Sequence, residues 1–168
     1  MNIAIIAHEY LPTAGGSIEV IKGLSQAFKS KSHKLIIVAF TMRRRFKRFE
    51  IIEGIAVYRL GCPFTIMPRP GLSGIVDIIK LLLSLPLIII QFRRIIRKNK
   101  TQIINVHFVG INALCTWILS YFARLRYIVS LHGFNVQVLP FLSGLRFFVT
   151  NCFYKAILTK ATFLTACS

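Results

Sequence analysis

The sequence predicts an α/β fold, a Rossmann-like doubly wound sheet that is mainly parallel, in a single domain over residues 1–168. Three observations predict it. Short apolar runs alternate with longer segments of helical periodicity along the whole chain. The stretches rich in Gly and Pro fall between those segments, where turns belong. Apolar residues make up 55% of the 168 residues, which argues against disorder in a chain long enough to bury a core.

The elements follow in order. Asn2–Ala7 is the first strand, and a turn-rich stretch follows it, His8-Glu-Tyr-Leu-Pro-Thr-Ala-Gly-Gly16. Ser17 is expected as the N-cap of the first helix, with Glu19 in the first turn, where negative charge is favoured. Ile18, Ile21, Leu24 and Phe28 recur at helical spacing to about Ser30. Leu35–Phe40 is a buried strand, which makes the first forty residues a β-loop-α-β crossover unit. Met42–Phe49 is a basic run, Glu53-Gly54 a turn and Ile55–Leu60 a third strand. Cys62–Gly74 is expected as loop, and Leu72–Lys98 as a long helix that Pro86 should kink. Gln102–His107 is a strand, Val109–Phe122 a helix, Tyr127–Leu131 a strand, Leu142–Lys160 a helix and Thr162–Ala166 a last strand. A strand followed by two residues leaves no closing helix, so the chain is expected to be cut rather than finished.

Charge narrows the partners. The balance of 22 Lys+Arg against 5 Asp+Glu gives +17, which favours anionic partners. Basic residues and aromatics are present, but they form no recognisable nucleic-acid module, so nucleic acid is not expected. A basic and apolar chain fits a membrane surface better. The basic run Arg43, Arg44, Arg45, Phe46, Lys47 and Arg48 reads either as a solvated loop or as a contact with anionic lipid. Leu81–Phe92 falls short of the roughly 20 apolar residues that a spanning helix needs. It reads as a buried crossover helix or as one that also touches the membrane surface. The start lacks a basic n-region, and its apolar run is too short for a secretory signal. Cys62, Cys115, Cys152 and Cys167 form no C-x-x-C pair and fit no zinc spacing. Reduced, mostly packed thiols in a cytosolic compartment are expected.

Three places carry chemistry. Gly15 and Gly16 stand in the first βα turn, where glycine lets backbone approach a ligand and the helix start offers free N–H groups to a diphosphate. His132 directly follows a buried strand, so it belongs at the carboxyl-end crevice where open α/β sheets bind ligands, and Gly133 permits a sharp exit. His107 and His8 also end strands and either line that crevice or pack there. His33 precedes a strand and is expected at the opposite edge. Five carboxylates in scattered places support no two-carboxylate chemistry, and no metal cluster emerges.

Four segments in register resemble glycosyltransferase family 4. The first is strand–His8-Glu-Tyr-Leu-Pro-x-x-Gly-Gly16–helix–Ser32-His33-Lys34–strand. Ile103-Ile-Asn-Val-His-Phe108 resembles the family's D-V-I-H-A-H-F, and Ser130-Leu-His-Gly-Phe-Asn135 its T-L-H-G-x-D. Ala161-Thr-Phe-Leu-Thr-Ala-Cys-Ser168 resembles A-D-x-V-I-A-V-S. Asn135 replaces the family's usual Asp, and Asn105 a usual His. The resemblance implies one half of a GT-B fold, the N-terminal, acceptor-side domain, with the C-terminal donor-binding domain absent. It implies a retaining, metal-independent transfer from a nucleotide sugar, a co-substrate rather than a cofactor, to a lipid-linked or cell-envelope glycan acceptor. By analogy, Gly15 and Gly16 face the donor diphosphate and His132, the catalytic candidate, lies near the transferred sugar. His8, His107, Gly133 and Asn135 line the cleft. The implied location is peripheral, on the inner face of the cytoplasmic membrane. A non-catalytic scaffold that holds acceptor and pairs with a separate donor-binding chain, or an inactive remnant, is the alternative.

Overall fold

A computed structural model of the chain describes residues 1–41, 46–62, 72–123, 125–132 and 144–166. The strands are β1 (Asn2–Ala7), β2 (Lys34–Thr41), β3 (Phe49–Ile52), β4 (Ile55–Gly61), β5 (Ile103–His107), β6 (Arg126–Leu131) and β7 (Phe163–Ala166). The helices are α1 (Gly16–Ser30), α2 (Leu72–Lys98), α3 (Ile111–Ala123) and α4 (Gly144–Lys160). They build one seven-stranded sheet in the order β3-β4-β2-β1-β5-β6-β7. Every pairing is parallel except β3 with β4. The sheet is therefore the Rossmann-like, mainly parallel one that the alternation predicts.

Strand order places the site. From β1 the chain builds outward through β2 to β4, then crosses back along α2 and builds outward on the other side through β5, β6 and β7. The direction reverses between β1 and β5, so the crevice outside their carboxyl ends is the topological switch point.

Side-chain alternation gives the sheet two cores. Ala4 and Ile6 of β1, with Val38, Ile104, Val106 and Val129, face α2, α3 and α4, where Phe92, Leu119 and Ile157 close the layer. Ile5 and Ala7, with Ile37, Ala39 and Val57, face α1 through Ile18 and Ile21. Phe40 and Phe92 meet edge to face at 5.5 Å, joining β2 to α2. Tyr127 donates to the Ile157 carbonyl at 2.6 Å and Tyr154 to the Val109 carbonyl at 3.1 Å, which fixes α4 against β6 and the β5–α3 link. Cys62 and Cys115 are packed core thiols, and Cys152 is exposed. Burial, and then Cys62, push the Cys115 thiol up, so it stays protonated and inert.

Two expectations need correction. The first helix begins at Gly16 with Gly15 as N-cap, and Ser17 lies inside the first turn. The Gly15 carbonyl accepts from the Ile18 and Glu19 N–H groups at 2.9 and 3.2 Å, and no side chain caps the start. Phe49, the last residue of the basic run, starts β3, a strand the sequence did not lead us to expect, which runs antiparallel to β4. Its hairpin turns at Glu53 and Gly54, both left-handed at φ 50° and 76°, as two-residue hairpin turns require. Pro86 lies inside α2, which runs from Leu72 to Lys98. Pro86 and Leu82, whose carbonyl loses its intrahelical partner to the proline, both lie on the exposed side, where water can satisfy that carbonyl. Among the described residues, no helix is long and apolar enough to cross a membrane.

Candidate functional site

The site forms where β5 and β6 end. His107 is the last residue of β5 and pairs in register with Ser130 of β6, two residues before His132. Their rings meet directly, with His107 Nδ1 and His132 Nε2 3.1 Å apart. Phe108 follows His107 in a left-handed conformation at φ 67°, a costly one for a residue with a bulky side chain. That turn brings its ring onto His132, stacked at 4.1 Å between centroids and 20° between planes. The backbone it displaces is satisfied nearby. Phe108 N–H donates to the Ser130 carbonyl at 3.2 Å, and Asn112 Nδ2 donates to the His107 and Phe108 carbonyls at 2.8 and 3.3 Å. Beneath the pair, Thr165 donates to Ser130 at 2.8 Å and Ser130 to Asn105 Oδ1 at 2.9 Å, tying β7, β6 and β5 together below the crevice.

Burial sets the charge of the pair. His107 is 1% exposed, and desolvation, then His132, lower its pKa to about 4. Desolvation also lowers that of His132, which is half-buried. Both rings are therefore neutral at pH 7, and one donates to the other. His107 Nε2 is buried and has no partner among the described residues. If His132 were the donor, that atom would be an orphaned N–H; if His107 donates through Nδ1, it is an unprotonated acceptor. Orphaned buried N–H groups are the rarer and costlier of the two. The second arrangement is favoured, and it leaves His132 with its proton on Nδ1.

The other side of the switch point is the β1–α1 loop. His8 is half-buried just past the end of β1, and Gly15 and Gly16 are exposed at the open start of α1. Topology thus brings His8, His107 and His132, with the Gly15-Gly16 turn, to one edge of the sheet. Neither glycine is required by backbone strain. Gly15 is extended at φ 165°, and a Cβ added at either position would meet no atom within 4 Å. What they leave is open space in front of an uncapped helix start. Gly133 and Asn135 lie outside the described residues, as do Arg43, Arg44 and Arg45. His33 lies at the opposite edge, before β2.

Sequence reasoning missed Arg59. It is a cation on β4, 4% exposed, in a stretch that reads only as a strand. Its guanidinium pairs with Glu50, donates to the Leu11 carbonyl, donates to the Lys47 carbonyl at 3.0 Å and lies 5.4 Å over the Phe46 ring. Its own N–H donates to the Arg48 carbonyl at 2.8 Å. One buried side chain thus ties the β1–α1 loop to the 46–50 segment. Phe46 is turned against Arg59 and half-buried, while the side chains of Lys47 and Arg48 are exposed. An arginine inside an otherwise apolar strand was the available signal. Asn112, fully buried on the inner face of α3, was another.

Comparison with known proteins bears on the fold. No protein-family model matches the chain, and no curated protein matches it. Sucrose-phosphate synthase from Thermosynechococcus elongatus superposes with a TM-score of 0.71 at 19% identity, over 97% of this chain and 41% of that one. MurG from Acinetobacter baumannii gives 0.53 at 10% identity, over 99% and 41%. UDP-GlcNAc 2-epimerase from Methanocaldococcus jannaschii gives 0.53 at 11%, over 100% and 40%. The chain spans about two fifths of the length of each of these structures. The chain therefore has the Rossmann-like α/β fold found in GT-B glycosyltransferases.

Proposed function

We propose that this chain is the acceptor-side half of a retaining glycosyltransferase that takes its sugar from a nucleotide donor. The observation that carries the reading is the uncapped start of α1, with two glycines and open space before it, at the same switch point as the paired histidines. A helix start with free N–H groups suits a diphosphate, and the missing side chains let the phosphates come close. His132, neutral and carrying its proton on Nδ1, can donate to a sugar hydroxyl or a phosphate oxygen. His107 acts through it as a positioning residue, since its hydrogen bond fixes the ring that Phe108 holds from one face. His8 lines the same crevice from β1, and the family resemblance makes Gly133 and Asn135, outside the described residues, its further cleft-lining candidates. The nucleotide sugar is a co-substrate, and no resident cofactor or metal is invoked. A lipid-linked or cell-envelope glycan is the proposed acceptor, supported by the basic and apolar character of the chain, which also supports a peripheral place on the cytoplasmic membrane through Arg43–Arg48. A donor-binding GT-B domain, in the same protein or a partner chain, would complete the cleft.

The test supplies that domain, fused or in trans, and follows release of nucleoside diphosphate from a panel of nucleotide sugars. His132→Ala should lower turnover about tenfold to a hundredfold, the loss of one hydrogen bond from a site that is otherwise intact. His107→Gln should lower it less and change its pH profile. Full turnover in His132→Ala would remove the histidine from the mechanism. No nucleotide release with any donor half would favour the scaffold reading.

A further inference from the structure

A surface helix should be polar on its outer face. That of α2 is not. Val76, Ile79, Leu82, Leu83, Leu87 and Ile90 are all exposed, Leu83 to 73%. Positions 76, 79, 83, 87 and 90 follow one another at helical spacing opposite the buried Ile88, Phe92 and Ile96. At 1.5 Å per residue the stripe runs about 21 Å. It ends in Arg93, Arg94, Arg97 and Lys98, all exposed in the last two turns. The stripe continues sideways. Ile90 also lines a groove of about 240 Å³ between α2 and α3, with Ile89, Leu119 and Phe122 as its apolar walls and Arg93 as its one cation. Phe122 is 71% exposed. Beside it Lys160 lies 5.1 Å over the exposed Tyr121 ring.

We propose that the outward face of α2, with the α2–α3 groove, docks on an anionic bilayer and lies in its interface without spanning it. The chemistry fits that occupant on both counts. The stripe would enter the acyl boundary by about 5–10 Å, as interfacial helices do. The arginines at its end would meet lipid phosphates, and Arg93 sits where a headgroup above an acyl chain in the groove would lie. Charge argues against a second copy as the occupant. From Val76 to Ser168 the sequence contains a single carboxylate, Asp77, so two such faces would bring together a large excess of cations. The surface is distinct from the Arg43–Arg48 run and rests on no assumption about sugar transfer.

The chain is co-sedimented with phosphatidylcholine vesicles with and without about one third phosphatidylglycerol, at low and high salt. Binding should require the anionic lipid and weaken with salt. Leu83→Gln/Leu87→Gln should weaken it tenfold or more. Arg93→Gln/Arg94→Gln/Arg97→Gln should weaken it about a hundredfold, at about fivefold per cation. These positions are exposed, so circular dichroism should match that of the unsubstituted chain. Equal binding to both vesicle types, or unchanged binding by both variants, overturns the proposal. So does a lipid-free dimer that Leu83→Gln/Leu87→Gln dissociates while vesicle binding is absent, because the second copy is then the occupant. None of the substituted α2 residues is among those assigned to the histidine crevice, so turnover and vesicle binding fail independently.

Discussion

Replacing Arg59 by Met separates a structural tether from an ordinary surface ion pair. The guanidinium side chain is 2% exposed, while the Glu50 side chain is 31% exposed. Methionine keeps much of the apolar stem but leaves the Leu11 and Lys47 carbonyls without their donor. Hydrogen bonds to a charged group are worth about 1.5–3 kcal/mol each, so the two together put about 3–6 kcal/mol at stake. Against this, the variant no longer keeps a cation out of water, which returns part of that sum. Glu50 adds little to the loss, because water reaches its carboxylate. The net expectation is a destabilisation of about 3 kcal/mol, or about 1.5 M in urea midpoint at a slope of about 2 kcal/mol/M. Glu50→Gln should cost about 1 kcal/mol, since the amide oxygen can still accept from the guanidinium. Urea unfolding followed by circular dichroism gives both numbers. Amide exchange adds location: it should accelerate at residues 9–14 and 46–50 beyond what the global loss explains. A midpoint shift under about 0.5 M for Arg59→Met, or a larger loss for Glu50→Gln, would refute the tether.

The histidine pair predicts a pH dependence with a definite sign. Its folded pKa values lie below the unfolded value, so the unfolded chain binds more protons between pH 6.5 and about 4, the value for His107. Stability is fully present above pH 6.5 and falls as pH drops toward 4, by about 3 kcal/mol from His107. Urea midpoints measured across that window should show the slope, and His107→Asn should flatten it; an unchanged slope removes the pair as its origin. Glycine substitutions should split by position. Gly54→Ala meets φ 76° and places a Cβ 2.9 Å from Lys29 Nζ, which donates to the Glu53 carbonyl at 2.8 Å, so it should cost about 1–2 kcal/mol. Gly16→Ala meets open space and should leave thermal unfolding unchanged or slightly raised, yet lower turnover in the completed enzyme if a diphosphate lies there. An equal loss of stability at both sites would contradict the assigned backbone geometry.

Much of the architecture was legible in the residue pattern because hydrophobic periodicity is local. Among the described residues, six of the seven strands and all four helices fall within two residues of the expected bounds. The strand that escaped, β3, is a short edge strand whose Phe49 and Ile51 face solvent, so it carries no buried alternation to read. The Gly-Gly turn and the strand-end histidines were legible as types at positions. Their relation was not. That His107 touches His132 depends on β5 and β6 being neighbours in register and on a left-handed turn at Phe108 that bulky residues seldom adopt. Arg59 became visible only when β4 carried it beneath Leu11, far away in sequence. The sequence by itself determined the fold class, the excess of positive charge and the residues available at the strand ends, since each follows from composition and spacing. Only the tertiary structure decided which of those residues meet, which are neutral, and that the apolar stripe of α2 faces outward, because contact, desolvation and facing depend on how distant segments pack.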